Sequence, residues 1–75
     1  MAFTVDSLVR IAASGGGLII DCKGFTVDSL VRIAASTKLK GAKITFVNLK
    51  GFTVDSLVRI GSAGEGNVVF DTSKE

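Results

Sequence analysis

One nine-residue segment, Phe-Thr-Val-Asp-Ser-Leu-Val-Arg-Ile, occurs three times without a single change, at residues 3–11, 25–33 and 52–60. Self-similarity at a period of a few tens of residues is typical of repeat architectures, in which each copy forms one unit that packs on its neighbours. A chain of 75 residues has room for a single domain. We therefore divide residues 1–75 into three repeats, at about 3–24, 25–51 and 52–75.

Each copy of the segment predicts a short amphipathic helix. In the first copy, Thr4 is placed as an N-cap whose hydroxyl accepts a hydrogen bond from a backbone amide of the first turn. Asp6 and Arg10 lie four residues apart with the acid first, which favours an ion pair along the helix surface. Apolar residues at helical spacing form one stripe that faces a core, namely Val5, Leu8, Val9 and Ala12.

Glycine-rich segments predict where the helices end. Gly15–Gly17 follows the first helix and supplies residues that adopt the left-handed C-cap conformation without strain. Because this segment follows a helix and leads into a strand, the reverse of a phosphate-binding loop, we interpret it as a helix stop. The third copy is followed by Gly61-Ser62-Ala63-Gly64, so we expect the third helix to end or fray earlier than the others.

A β-branched or aromatic run follows each helix, at residues 18–22, 44–49 and 68–71, and predicts a strand. Short strands that alternate with helices favour parallel pairing through right-handed crossovers. The expected fold class is α/β, with the order αβαβαβ, a parallel sheet in chain order and all helices on one face. The alternative strand order, 2-1-3, places helices on both faces and needs no partner.

This alternation of one helix and one strand resembles the α/β solenoids, the broad class that includes leucine-rich repeats, along the whole chain. The leucine-rich signature L-x-x-L-x-L-x-x-N-x-L is absent, and Val47-Asn48-Leu49 matches only a fragment of it. The resemblance implies a stacked sheet with helices on one side and a binding surface, and it carries over no functional residue. Identity at the solvent-facing positions Asp6, Ser7 and Arg10 indicates copying, by engineering, which we favour, or by recent natural duplication.

The second face of such a sheet is expected to be bare and apolar. Alignment of the strands on Asp21, Asn48 and Asp71 assigns to the helix-covered face Leu18, Ile20, Cys22, Thr45, Val47, Leu49, Val68, Phe70 and Thr72. The interface residues predicted on the other face are Ile19, Ile44, Phe46 and Val69. Because parallel sheets are almost always covered on both faces, we expect a homo-oligomer, with a two-fold dimer favoured. It would form face to face through Phe46, edge to edge through open strands, or by exchange of a repeat.

The composition offers little for catalysis. The chain has no His and a single Cys, so it contains neither an imidazole base nor an intrachain disulfide, and we expect Cys22 to be a small buried hydrophobe. We predict no enzyme, cofactor, metal site or small-molecule substrate. Four lysines between elements are interpreted as solvated loop residues, because no aromatic or Arg platform is interleaved with them: Lys38, Lys40, Lys43 and Lys50. With a net charge of only +2, a nucleic-acid partner is not expected.

No apolar run reaches the roughly 18–20 residues that span a bilayer, and the first residues lack the features of a signal peptide. We therefore expect no membrane association and a cytoplasmic location. The predicted function is that of a structural, self-assembling repeat protein that forms a homo-oligomer. The alternative is a protein-binding module cut from a longer natural solenoid.

Overall fold

The computed structural model describes residues 3–74, with side chains described for residues 3–73. Met1, Ala2 and Glu75, the last residue of the predicted third repeat, lie outside the described residues. The elements are α1 (Val5–Ala13), β1 (Leu18–Asp21), α2 (Val27–Ser36), β2 (Ile44–Val47), α3 (Val54–Gly64), β3 (Val68–Phe70) and a 3₁₀ helix at Thr72–Lys74. The order αβαβαβ confirms the predicted fold class.

Each helix begins at the threonine that the sequence places as its N-cap. The Oγ1 atom of this threonine accepts a hydrogen bond from the backbone N–H three residues later, at 3.1 Å for Thr4, 3.2 Å for Thr26 and 3.1 Å for Thr53. One otherwise unpaired amide of each first turn is thereby satisfied. The three copies of the segment therefore start three helices in the same way.

The end of α1 confirms that Gly15–Gly17 is a helix stop. Gly15 has a φ of +100°, in the left-handed region that glycine adopts most readily. The Gly16 N–H donates to the Ile11 carbonyl and the Gly15 N–H donates to the Ala12 carbonyl, both at 3.1 Å. These two bonds form a Schellman motif, which satisfies carbonyls of the last turn.

The expectation of an early end for α3 is wrong, because this helix has 11 residues and extends to Gly64. Its glycines instead allow close packing against β3. A Cβ atom at Gly64 would overlap with Cγ2 of Val68, and one at Gly61 would touch the Phe70 ring at 3.4 Å. Glu65 is the C-cap that follows the helix, and it has a left-handed φ of +49°.

The three strands form one parallel sheet in the order β1-β2-β3, which confirms the in-order arrangement and excludes the order 2-1-3. In the paired register Ile20 lies beside Phe46, and Phe46 lies beside Phe70. The rings of Phe46 and Phe70 stack with their centroids 5.8 Å apart. These strand residues pack with the apolar stripes of the helices in one core, which places the helices on one face of the sheet.

The predicted assignment of β2 to the two sheet faces is wrong by one residue. Asp21 pairs with Val47 and not with Asn48. Asn48 is an extra residue beyond the strand, with a left-handed φ of +59°. Ile44 and Phe46 therefore point to the helices and are fully buried, which removes both from the predicted exposed interface. Thr45 and Val47, expected to pack on the helices, alternate with them and lie on the opposite face.

Candidate self-association surfaces

The face of the sheet opposite the helices, here the open face, is built from alternate strand residues. Ile19, Thr45 and Val69 lie side by side across its middle. Ile19 is 79% exposed and Val69 is 53% exposed, so these two members of the predicted interface are on the surface as expected. No described element of the chain covers them.

Opposite charges lie at the two ends of the open face. At the amino ends of the strands, Lys43 Nζ donates to Asn67 Oδ1 at 3.4 Å. At the carboxyl ends, Asp21 Oδ1 accepts the Lys23 N–H at 2.9 Å and Asp71 Oδ1 accepts the Ser73 N–H at 3.1 Å. Both carboxylates are thus oriented by the turns that follow their strands. The open face thus has Lys43 at one end and the two carboxylates at the other, with Lys23 and Lys50 beyond the carboxylates.

Asn48, the extra residue of the second repeat, also acts on the carboxylate of Asp21. A hydrogen bond from the Asn48 side chain lowers the pKa of Asp21, and the Lys23 amide and the Lys23 charge act in the same direction. Partial desolvation opposes them and is outweighed. The Asp21 carboxylate is therefore stabilised in its charged form.

A ladder of ion pairs joins the helices. Arg32 Nη2 lies 3.2 Å from Asp6 Oδ1, and Arg59 Nη2 lies 3.4 Å from Asp28 Oδ1. The predicted pair within one helix, Asp6 with Arg10, is replaced by pairs in which each arginine contacts the aspartate of the preceding repeat. Among the described side chains, this leaves Arg10 of the first repeat and Asp55 of the third without an ion-pair partner.

The outer surface of α3, here the trailing end, consists of Val54, Asp55 and Val58. Val54 is 76% exposed and Val58 is 59% exposed. The equivalent valines of α1 and α2 are partly buried and pack against the core, because a further helix follows each of them: Val5, Val9, Val27 and Val31. The trailing end therefore exposes apolar surface that is covered at the other two helices.

The outer surface of α1, here the leading end, shows the complementary difference. Ile33 and Ile60 are fully buried, whereas the equivalent Ile11 is only partly buried. Ser36 is buried and the equivalent Ser14 is exposed. An open groove of about 420 Å³ lies where a preceding helix would pack, and it is lined by Phe3, Ser7, Arg10, Ile11 and Ser14.

The remaining polar and reactive side chains do not gather at one point. Cys22 is buried, as predicted. Lys38 pairs with Glu65 at 3.4 Å, and Lys40 packs beside Gly15, so the lysines of the second repeat are separated from one another. Lys23 and Lys50, with Asn48, line a shallow depression beyond the carboxyl ends of the strands. Within residues 3–74 there is no cluster of three or more His, Cys, Asp or Glu side chains able to hold a metal ion.

None of the helices in the described part of the chain is both long enough and apolar enough to cross a membrane.

Four residues of the two ends were missed from the sequence: Arg10, Val54, Asp55 and Val58. A signal for them was present, because within residues 3–74 no copy of the segment comes before the first helix or after the third. The spacing of Asp6 and Arg10 also fits a pair within one helix, and this second interpretation conceals the signal.

No protein-family model, curated protein sequence or solved structure matches the chain.

Proposed function

We propose that this protein is a structural, non-catalytic building block that associates with copies of itself through the open face. The observation that carries the proposal is the exposure of Ile19 and Val69 on one face of a parallel sheet whose other face packs against the helices. Parallel sheets are normally covered on both faces, so apolar side chains on an uncovered face favour association. A second copy supplies an apolar face of the same composition.

The charges of the open face select one orientation for the two copies. A two-fold axis that lies between the faces and is perpendicular to the strands makes the strands of the two copies antiparallel. It brings Ile19 of both copies together and places Lys43 of each copy near Asp21 and Asp71 of the other. An axis parallel to the strands would instead place acids against acids. Electrostatic complementarity therefore favours the antiparallel arrangement.

The size of the open face sets the strength of this contact. Three strands of about four residues, about 4.8 Å apart with a rise of about 3.3 Å per residue, give a footprint of about 200 Å². Stable protein complexes bury about 800 Å² of surface on each partner. We therefore expect a weak dimer that dissociates on dilution.

The test is the molar mass in solution, measured by light scattering and sedimentation over a wide range of protein concentration. The mass should rise above the 7.8 kDa of the single chain as the concentration increases. The double variant Ile19→Thr, Val69→Thr keeps β-branched side chains in the strands and removes apolar surface, and it should weaken association at least tenfold. An unchanged mass profile in this variant would refute the proposal.

A matched control is available in the loop after α2. Leu39 is 71% exposed, and it lies outside the open face and both ends of the helix layer. Leu39→Thr removes a similar apolar side chain and should leave the association constant within twofold of the parent. If Leu39→Thr weakens association as much as the double variant, the contact is not specific to the open face.

A further inference from the structure

We propose that copies of this chain also join head to tail, with the trailing end of one copy packed against the leading end of the next. This contact uses surfaces distinct from the open face. In it the α3 helix of one copy lies beside the α1 helix of the next, so that one helix layer continues through both. The partner is therefore a second copy of the same chain.

The molecule contains two examples of this junction. In the first, Arg32 of α2 pairs with Asp6 of α1, and in the second Arg59 of α3 pairs with Asp28 of α2. The isoleucine that follows each of these arginines is fully buried. Because the nine-residue segment is identical in all three helices, α3 and α1 present the same two surfaces that form these junctions. The contact between two copies repeats a contact that the fold already makes twice.

The charges at the two ends are complementary. Asp55 at the trailing end is equivalent to Asp6 and Asp28, which each pair with the arginine of the following helix. Arg10 at the leading end is equivalent to Arg32 and Arg59. An ion pair between Asp55 of one copy and Arg10 of the next extends the ladder by one step.

The apolar surfaces also match. Val54 and Val58 are the exposed counterparts of valines that are covered in the first two repeats. The leading-end groove has Phe3 and Ile11 in its lining, and Ile11 is the partly buried counterpart of the fully buried Ile33 and Ile60. Docking would bury apolar surface on both copies at once, which supplies most of the free energy of association.

The strands support the same arrangement. β1 and β3 are the two edges of the sheet, and each has one row of backbone groups that no other strand in the sheet pairs with. Open edges readily pair with a strand from another chain. When α3 and α1 of two copies pack as α1 and α2 do, β3 of the first copy lies beside β1 of the second in the same parallel direction.

This contact differs from the open-face dimer in the sizes of the species that it forms. The two surfaces in contact are different, so each added copy leaves one new trailing end and one new leading end unoccupied. Such heterologous contacts give rings or open chains of copies, whereas a two-fold contact stops at two. Head-to-tail association should therefore produce species beyond the dimer as concentration rises.

The test uses two variant proteins, and each of them reverses one of the two end charges. It uses the Ile19→Thr, Val69→Thr background, so that the open face does not contribute. Arg10→Asp places an acid opposite Asp55, and Asp55→Arg places an arginine opposite Arg10. Each variant alone should associate about three- to tenfold more weakly than the background protein, as expected for an exposed ion pair replaced by like charges.

In an equimolar mixture of the two variants, every junction between one variant and the other carries opposite charges. Its association constant should return to within twofold of that of the background protein. Circular dichroism of each variant establishes that the fold is intact. Val58→Glu provides a second variant at an exposed position, and it should weaken association more than tenfold because it places a charge in the apolar contact.

Three results would each overturn the head-to-tail contact: a background protein that stays monomeric, single variants that associate like the background protein, or a mixture that associates no better than its components. The open-face proposal is tested separately, by comparison of Leu39→Thr with the Ile19→Thr, Val69→Thr protein. Failure of one contact therefore does not imply failure of the other.

Discussion

Arg32 of α2 pairs with Asp6 of α1, at 3.2 Å between Nη2 and Oδ1, and not with Asp28 four residues before it on its own helix. Packed helices have axes about 8–10 Å apart, a separation that an arginine side chain can bridge. The pair between helices ties two repeats together, which a pair within one helix does not do. The same nine residues thus encode both a helix and the contact between that helix and the next.

A double-mutant cycle on Asp6 and Arg32 should give a small but measurable coupling. Both side chains are largely exposed, so we expect about 0.2–1 kcal/mol in the free energy of unfolding, and less at high salt. Urea denaturation of Asp6→Ala, Arg32→Ala and the double variant measures it, at a concentration where the chain is monomeric. The control cycle on Asp6 and Arg10 should give a coupling near zero, and a larger value there would restore the pair within the helix.

Phe46→Ala should remove a large part of the stability of the domain. The side chain is fully buried and stacks on Phe70, and truncation of a buried phenylalanine costs about 3–5 kcal/mol. Small domains have only about 5–15 kcal/mol in total, so thermal unfolding followed by circular dichroism should shift to much lower temperature. Val69→Ala, on the open face, should change the transition little. A Phe46→Ala protein that melts like the parent would contradict the observed register of β2.

Gly64→Ala should destabilise the protein, although Gly→Ala inside a helix normally gains about 0.5–1 kcal/mol. The added Cβ overlaps with Val68 Cγ2, and overpacking of this kind costs about 1–3 kcal/mol. Chemical denaturation should show the loss. In a Val68→Ala background, which lacks the overlapping methyl group and keeps only Cβ at 3.3 Å, the same substitution should cost clearly less.

Gly61→Ala is the matched control for Gly64→Ala. Its Cβ would meet the Phe70 ring at 3.4 Å, an ordinary contact distance, so the helix-propensity gain should prevail. Equal effects of the two substitutions would show that the approach of α3 to β3 is not limited by Gly64.

Asn48→Gly should raise the pKa of Asp21 toward its ordinary value. The largest cause of the lowered pKa is the hydrogen bond from the Asn48 side chain, and glycine removes that donor while it tolerates the left-handed φ. A carboxyl group with a lowered pKa in the folded state stabilises the fold above the ordinary aspartate pKa of about 3.9, and this contribution is lost as the pH falls through the lowered value. The acid side of the stability profile should therefore become less steep in the variant.

Carbon-13 NMR titration of the Asp21 carboxyl group measures this change directly. Asn67→Ala serves as the control, because Asn67 lies at the opposite end of the strands, where it contacts Lys43. That variant should leave the titration of Asp21 unchanged. An Asp21 pKa that does not move in Asn48→Gly would assign the shift to the Lys23 amide instead.

Those parts of the fold that depend on neighbouring residues were predictable from the sequence. Thr4 and its two equivalents mark the helix starts, and Gly15 marks the end of α1, because capping needs only residues within one turn. The parallel order followed from the alternation of helices and strands. The predicted exposure of Ile19 and Val69 is correct because β1 and β3 contain no extra residue.

The predictions that were wrong depend on contacts between elements. An asparagine such as Asn48 adopts a regular strand conformation or a left-handed one according to its surroundings, and a shift of one residue moves every side chain of β2 to the other face. Glycine commonly ends helices, yet Gly64 is the last residue of α3. The reason for a glycine there is the close approach of Val68, which the sequence alone does not show. The partner of Arg32 lies on another helix, at a separation that the spacing within one helix does not reveal.

The identity of the three segments means that these nine residues do not distinguish one position in the array from another. Each junction between helices is made by the same residues, so the helices carry no information about how many units the array should contain. The residues outside the segments assign each helix to its place: the connecting segments, which differ in length and composition, and the glycines Gly61 and Gly64 of α3. A chain with one more copy of the segment and a suitable connector should fit the same layer, and its Arg–Asp pairs would leave the net charge of the helices unchanged.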